Sequence, residues 1–206
     1  MNFLYSERND SFLNPLFGRE WPDELLTQMG SRVADRRQGD TETCAQPLDF
    51  IGLNYYTRSI AKAPVSASDK TRGYAFVQPS APKRLTDIGW EIYPEGLTRV
   101  VNNLRNQWPL PPIWITENGA ADNTDLVDGE CNDSMRCGYL ETHLEQVAEL
   151  KRAGVDLRGY YVWSLMDNFE WAHGYSQRFG IVHVNFKTQK RTPKKSALML
   201  QHWLRP

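Results

Sequence analysis

Pro112-Ile113-Trp114-Ile115-Thr116-Glu117-Asn118-Gly119 decides how this chain is read. An apolar run leads straight into a carboxylate and then an Asn-Gly turn. A parallel strand buried on both faces delivers one charged side chain to the rim of a sheet in this way. Two runs of the same kind flank it: Asp49-Phe50-Ile51-Gly52-Leu53-Asn54-Tyr55-Tyr56 before, and Leu157-Arg158-Gly159-Tyr160-Tyr161-Val162-Trp163-Ser164-Leu165 after. Between them lie two helical patterns. Pro94-Glu95-Gly96 opens a helix whose Leu97, Val100, Val101, Leu104 and Trp108 form one apolar stripe. A second helix, from about Asp133 to Arg152, carries Leu140, Leu144, Val147 and Leu150 and ends at Gly154.

This alternation predicts an α/β protein with a parallel sheet. Right-handed crossovers bring the strand ends Tyr56, Glu117 and Trp163 to one face, the carboxyl-end face where ligands bind in open sheets and barrels alike. Asn54 and Tyr56, two residues apart, share a side of their strand. The remaining segments are less regular. Residues 1–48 read as irregular with one helix, opened by Pro22 and running through Asp23–Met29 to Gly30. The polar stretch from Arg32 to Gln46 is a loop or a short surface helix. Residues 57–90, broken by Pro64, Gly73, Pro79 and Pro82, form a long excursion with a hairpin around Tyr74-Ala75-Phe76-Val77. Gly180–Asn185 reads as a short strand or hairpin arm, and Thr192-Pro193 as the N-cap and first residue of a terminal helix through Leu198 and Trp203.

Composition excludes several function classes. Lys+Arg 24 against Asp+Glu 25 leaves a formal net charge of -1, so neither nucleic acid nor an anionic membrane surface is an expected partner. No apolar run approaches the roughly 20 residues that span a bilayer, and Met1-Asn2-Phe3-Leu4-Tyr5-Ser6-Glu7 does not read as a signal peptide, so a cytoplasmic location is expected. Cys44, Cys131 and Cys137 are too irregularly spaced for a disulfide scaffold or a zinc site and read as reduced thiols, with a short Cys131–Cys137 bridge as the alternative. His143, His183 and His202 sit at unrelated places, which disfavours a metal centre. Seven Trp, nine Tyr and eight Phe suit a core, and equally suit the apolar faces of sugar rings.

Glu117 at its strand end is either a cap or salt-bridge partner, or a reacting carboxylate. The loops expected around it are rich in Trp, Tyr and Asn, and a second acidic group lies in Asp167-Asn168-Phe169-Glu170-Trp171. Carboxylates among amides and flat aromatic faces are what hydroxyl-rich ligands need.

Ile115-Thr116-Glu117-Asn118-Gly119 resembles the nucleophile motif of glycoside hydrolase family 1, the β-glucosidase and β-galactosidase family. Three further segments resemble that family in order and spacing: Asp49–Tyr56, Gly89-Trp90-Glu91-Ile92-Tyr93-Pro94-Glu95-Gly96-Leu97, and Trp163–Trp171 continuing through Arg178-Phe179-Gly180-Ile181. The resemblance implies that Glu117 is the nucleophile, that Tyr56 hydrogen-bonds and orients it, and that Asn54 supports the same rim. It makes Trp163 the floor on which the glycone ring stacks, with a non-proline cis peptide often following that residue. Glu170 and Trp171 would bind the outer glycone hydroxyls, Phe179 would line the same wall, and Trp90 would border the aglycone side. No metal or cofactor is implied. Relatives acting on 6-phosphorylated sugars carry a serine where Glu170 stands, and a lysine and a tyrosine where Gln177 and Phe179 stand. A phosphate beside Glu170 would meet like charge with no lysine to offset it, so an unphosphorylated β-glycoside or oligosaccharide is the expected substrate.

Retaining hydrolysis needs two carboxylates about 5–5.5 Å apart. The family's acid/base comes from an Asn-Glu-Pro motif on the fourth barrel strand, and this sequence contains no Asn-Glu-Pro. A closed barrel takes eight strands and typically about 250 residues. The resemblance therefore implies that residues 1–206 form a single partial domain: the C-terminal part of a (β/α)8 TIM barrel with the sixth to eighth core strands, the barrel incomplete. The expected partner is an N-terminal barrel half, in cis or in trans, and the isolated chain is expected to be inactive. The alternatives are a sugar-binding or interaction module and a non-functional truncated piece.

Overall fold

The computed structural model describes residues 9–30, 37–63, 74–79 and 84–204. The opening Met1–Glu7, the breakers Pro64, Gly73 and Pro82, and part of the polar stretch after Arg32 lie outside the described residues. In chain order the elements are α1 (Ser11–Leu16), α2 (Asp23–Met29), α3 (Asp40–Cys44), β1 (Ile51–Asn54), β2 (Ile60–Lys62), β3 (Ala75–Val77), α4 (Glu95–Gln107), β4 (Ile113–Asn118), α5 (Ser134–Arg152), β5 (Leu157–Val162), β6 (Val182–Val184), β7 (Arg191–Pro193) and α6 (Lys195–Trp203).

Two compact units emerge. The smaller, built from residues up to Asp49 together with Ser59–Gln78, holds α1, α2, α3 and the antiparallel pair β2–β3. The predicted hairpin around Tyr74–Val77 is instead one strand, β3, paired antiparallel with Ile60–Lys62 earlier in the chain. Of the three helices described before residue 48, α2 is the predicted one, α3 is the short surface helix that the stretch from Arg32 to Gln46 allowed, and α1 corrects the reading of its segment as irregular. Helices α1 and α3 are only 6 and 5 residues long, too short to leave an apolar period in the sequence. Tertiary contacts hold them, among them the Thr41 hydroxyl donating to the Glu20 carboxylate at 2.8 Å.

The larger unit carries the three predicted strands as one parallel sheet in the order β1-β4-β5. Helices α4 and α5 cover one of its faces. Leu97 and Val101 from α4, Val147 and Leu150 from α5, and Ile113, Ile115 and Leu157 from the strands form one core, the predicted stripes meeting the sheet. Burying each such side chain stabilises the fold by roughly 1.5–3 kcal/mol. Glu95 in the first turn of α4 and Arg105 in its last complement the helix dipole. The other face of the sheet carries Phe50, Trp114 and Tyr161, whose rings contact in series at 6.5 and 5.9 Å. Gly159 makes room for this layer, because a Cβ there would lie 1.9 Å from the Trp114 ring. Tyr161 and Phe50 remain 52% and 54% exposed, so the face bearing them is largely open in this chain.

The terminal helix begins later than the sequence suggests. Thr192-Pro193 is not its cap: Arg191–Pro193 forms β7, antiparallel to β6, and α6 starts at Lys195. Pairing with Val182–Val184 outweighs the local capping signal. Cys131 and Cys137 are free and buried, and burial pushes the Cys137 thiol up to about 11. Among the described residues no helix is long and apolar enough to cross a membrane.

His143 lies inside this unit, fully buried and stacked on Tyr139 at 3.9 Å, with Nδ1–H donating to the Tyr139 carbonyl and Nε2 without a hydrogen-bond partner among the described residues. Burial lowers its pKa from 6.5 to about 4, the Tyr139 bond opposing only in part. The folded state thus refuses a proton that the unfolded chain accepts, and stability is lost as pH falls from 6.5 toward 4. The full loss is about 3 kcal/mol. Urea unfolding between pH 7 and pH 4 is expected to show this decline, and His143→Gln to flatten it.

Candidate active site

The site forms where β1, β4 and β5 end. Beyond β1, Tyr55 turns toward the helices and donates to the Tyr93 carbonyl at 2.5 Å, while Tyr56 turns toward the open face. On β4 the regular register breaks. Leu53 pairs with Ile115 but Asn54 pairs with Glu117, and on the other side Ile115 pairs with Tyr160 but Asn118 with Val162. Relative to each neighbour β4 holds one extra residue, which is a β-bulge. Consecutive side chains Thr116 and Glu117 consequently both meet β1's end. The Thr116 hydroxyl donates to Asn54 Oδ1 at 2.7 Å, and the Tyr56 hydroxyl donates to Glu117 Oε2 at 2.5 Å.

Burial, the Glu117 hydrogen bond and the Glu117 charge, in that order, push the Tyr56 phenol far above its ordinary range, and the Glu170 charge adds to this. Tyr56 therefore stays protonated and acts as a donor to the carboxylate. Trp90 and Phe179 pack on its ring at 5.5 and 6.3 Å and on one another at 5.9 Å. Phe179 is only 2% exposed, so it backs Tyr56 from inside the protein.

Asn118 corrects a further expectation. It is the last residue of β4 and fully buried, not a turn residue. Gly119 follows because a Cβ there would lie 1.7 Å from the Trp163 carbonyl oxygen, and only glycine allows that approach. Trp163 donates its backbone N–H to the Asn118 carbonyl at 3.0 Å, and the Trp163–Ser164 peptide is cis. Ser164 N–H then bonds the Phe179 carbonyl at 3.1 Å, joining the start of the long loop to its end.

Within that loop Glu170 and Trp171 project from a tight turn closed by Glu170 N–H to the Gly174 carbonyl at 2.7 Å. Trp171 is 81% exposed and holds φ at +40°, a conformation uncommon for a bulky side chain and found where surroundings enforce it.

What enforces the loop was not readable from the motifs. Buried Asp167 accepts from Lys194 Nζ at 2.8 Å and Arg178 Nη1 at 2.6 Å, and from the backbone N–H groups of Gly180 and Val184. Burial alone would raise this carboxyl, but Lys194, Arg178 and the Val184 N–H outweigh it and hold the pKa below the usual range. For Lys194 the balance runs the other way, burial and the Arg136 charge lowering it more than Asp167 raises it. A second buried pair, Asp133 with Arg136, abuts the first: Arg136 donates to the carbonyls of Ala120, Asp122 and Arg178, and Asp133 accepts from the backbone N–H and hydroxyl of Ser196. Among the described residues no group of three or more His, Cys, Asp or Glu side chains is gathered for a metal ion.

The structure thus brings Tyr56, Glu117, Trp90 and Phe179 together, sets Asn54 beside them through Thr116 and Trp163 beside them through Asn118, and carries Glu170 and Trp171 on a braced loop. A tyrosine-oriented carboxylate among aromatic rings can act as a nucleophile or base toward a ligand with an extended apolar face.

Comparison with known proteins is consistent with that chemistry. The model of glycosyl hydrolase family 1 matches residues 4–205. A β-glucosidase of Agrobacterium sp. is 43% identical over 192 residues, covering 91% of this chain and 41% of its own. A 6-phospho-β-galactosidase of Clostridium acetobutylicum is 34% identical, covering 94% of this chain and 46% of its own. The solved structure of the virulence factor SghA from Agrobacterium tumefaciens superimposes with a TM-score of 0.91 at 39% identity, over 98% of this chain and 44% of its own. The chain therefore spans less than half the length of these relatives. With a family match over nearly all of its residues, the chain belongs to glycosyl hydrolase family 1.

Proposed function

We propose that this chain supplies the nucleophile and part of the glycone site of a retaining β-glycosidase acting on unphosphorylated sugars, β-glucosides foremost. The observation that carries the reading is the 2.5 Å bond from Tyr56 to Glu117 at the carboxyl ends of adjacent parallel strands. In the reaction a Glu117 oxygen forms a bond to the anomeric carbon as the bond to the leaving oxygen breaks. A second carboxylic acid protonates that oxygen, and water later cleaves the glycosyl ester with the second group acting as base. Tyr56 holds the attacking carboxylate in place, Trp163 takes the sugar face, and Glu170 and Trp171 take outer hydroxyls.

The second carboxylate is assigned to another part of the barrel, since this sequence contains no Asn-Glu-Pro. In this reading β1, β4 and β5 are the sixth, seventh and eighth barrel strands, and the remaining strands come in cis or in trans. The exposed Phe50 and Tyr161 on the sheet's open face support a covering partner.

The test is to co-express the chain with the N-terminal portion of the Agrobacterium β-glucosidase and assay an aryl β-glucoside. The mixture is expected to turn over and the 206 residues alone to be inert; robust activity of the chain alone overturns the reading. The same assembly is expected to prefer the aryl glucoside over its 6-phosphate, because Glu170 repels the phosphate and Gln177 offers no charge to hold it. A preference for the phosphorylated substrate refutes that assignment.

A further inference from the structure

Behind Glu117, on the side away from the open face, lies a buried set of polar groups to which the proposed chemistry assigns no role. Asn118 is fully buried, yet each polar atom of its carboxamide is used. Its Nδ2 donates to the Tyr55 carbonyl on the β1 side at 2.6 Å and to the Tyr139 hydroxyl on α5 at 3.0 Å, and its Oδ1 accepts from the Tyr160 hydroxyl on β5 at 2.5 Å. The Tyr139 hydroxyl in turn donates to the Tyr56 carbonyl at 2.9 Å. One side chain thereby ties the strand end bearing Glu117 to both neighbouring strands and to the backbone of Tyr55 and Tyr56.

The position of this tie matters because of the bulge. Side chains alternate along a regular strand, so an unbulged β4 would place Glu117 on the side of Ile113 and Ile115, facing the helices. The extra residue between Ile115 and Asn118 reverses this: Glu117 emerges beside Tyr56, and Asn118 takes the helix-facing place. A bulge leaves ladder groups out of register, and a buried polar group without a partner is costly, roughly 1–3 kcal/mol each. In the bulged arrangement the Asn118 carboxamide meets three partners at hydrogen-bond distance, whereas the alternation of a regular strand would turn it away from Tyr139 on α5.

We propose that Asn118, held by Tyr139 and Tyr160, is a positioning residue that maintains the β4 bulge and so aims Glu117 at the open face. The consequence for catalysis rests on the nucleophile reading above; the consequence for geometry does not.

The geometric arm is read on the 206-residue chain by NMR of the Tyr56 hydroxyl proton, assigned by its loss in Tyr56→Phe. In a bond this short the proton resonates far downfield and exchanges slowly. Asn118→Leu is expected to remove that signature, and Tyr160→Phe, which deletes one hydroxyl and should fold even where Asn118→Leu does not, is expected to shift it upfield and speed its exchange. A wild-type resonance in both variants, or in Tyr160→Phe where only that variant folds, overturns the proposal.

The catalytic arm uses the co-expressed assembly. There Tyr160→Phe is expected to lower kcat by about 10- to 100-fold with KM changed less than about threefold, as for a misplaced reacting group. Unchanged kcat beside an inactive Glu117→Gln overturns the catalytic consequence. Full activity of Glu117→Gln refutes the nucleophile reading instead, and leaves the NMR arm to decide the geometry.

Discussion

Glu117→Gln is expected to lower the kcat of the assembled enzyme toward an aryl β-glucoside by at least about 10⁴-fold, the scale seen when a reacting side chain is removed from a catalytic set. The amide has nearly the carboxylate's shape and can still accept the Tyr56 hydroxyl bond, so the site keeps its form. What disappears is the negative charge and the oxygen that, in the proposed reaction, bonds to the anomeric carbon. Binding of sugar through Trp163, Glu170 and Trp171 is expected to survive, and thermal unfolding of the isolated chain to change little, because Glu117 is only half-buried. Steady-state kinetics on the assembly, with calorimetry on the chain, separates these effects. Activity within tenfold of wild type removes Glu117 from the reaction.

Asp167→Ala is expected to cost roughly 3–5 kcal/mol of stability, the scale for removing one partner of a buried ion pair, and to lower Tm by on the order of 10 °C. Lys194 is completely buried and keeps its charge only beside a carboxylate, and Arg178 loses the same partner. The pKa of Asp167 lies below its unfolded value, so its contribution is present above the ordinary aspartate range and disappears as pH falls below that range. The variant should lack this component of acid lability. Pairing Asp167→Leu with Lys194→Met should recover part of the loss, since it removes the fully buried Lys194 charge while Arg178 still lacks its carboxylate. A double variant no better than either single one shows that the packing, not the charge, holds the loop. Calorimetry and chemical unfolding of the wild type, the single variants and the double variant decide between them.

The three strands of the parallel sheet were legible because each holds a run of apolar residues, and the helices α4 and α5 because their stripes repeat at the helical period; Leu97, Val101, Leu140 and Leu150 are buried as their spacing requires. The local signals that misled were short. Asn118-Gly119 has the composition of a turn, yet Asn118 remains in the strand because its amide finds three partners supplied by β5, α5 and the Tyr55 carbonyl. Thr192-Pro193 has the composition of a helix start, yet pairing with β6 claims it. For Asn118 the deciding partners lie 21 to 63 residues away, where no local window includes them; for Thr192-Pro193 the partner is the preceding hairpin arm, whose pairing a capping signal does not register.

The candidate site divides in the same manner. The amino-acid sequence by itself determined that Tyr56, Glu117 and Trp163 end three strands and gather on one face, since strand order and crossover hand leave them nowhere else. Only the tertiary structure decided which way Glu117 points. That depends on one extra residue in β4, on the buried carboxamide behind it, and on an Asp167–Lys194 pair 27 residues apart that braces the loop carrying Glu170. A bulge and a buried ion pair are set by competition among non-local hydrogen bonds for groups that cannot remain unpaired away from water, and that competition exists only once the strands and helices are assembled.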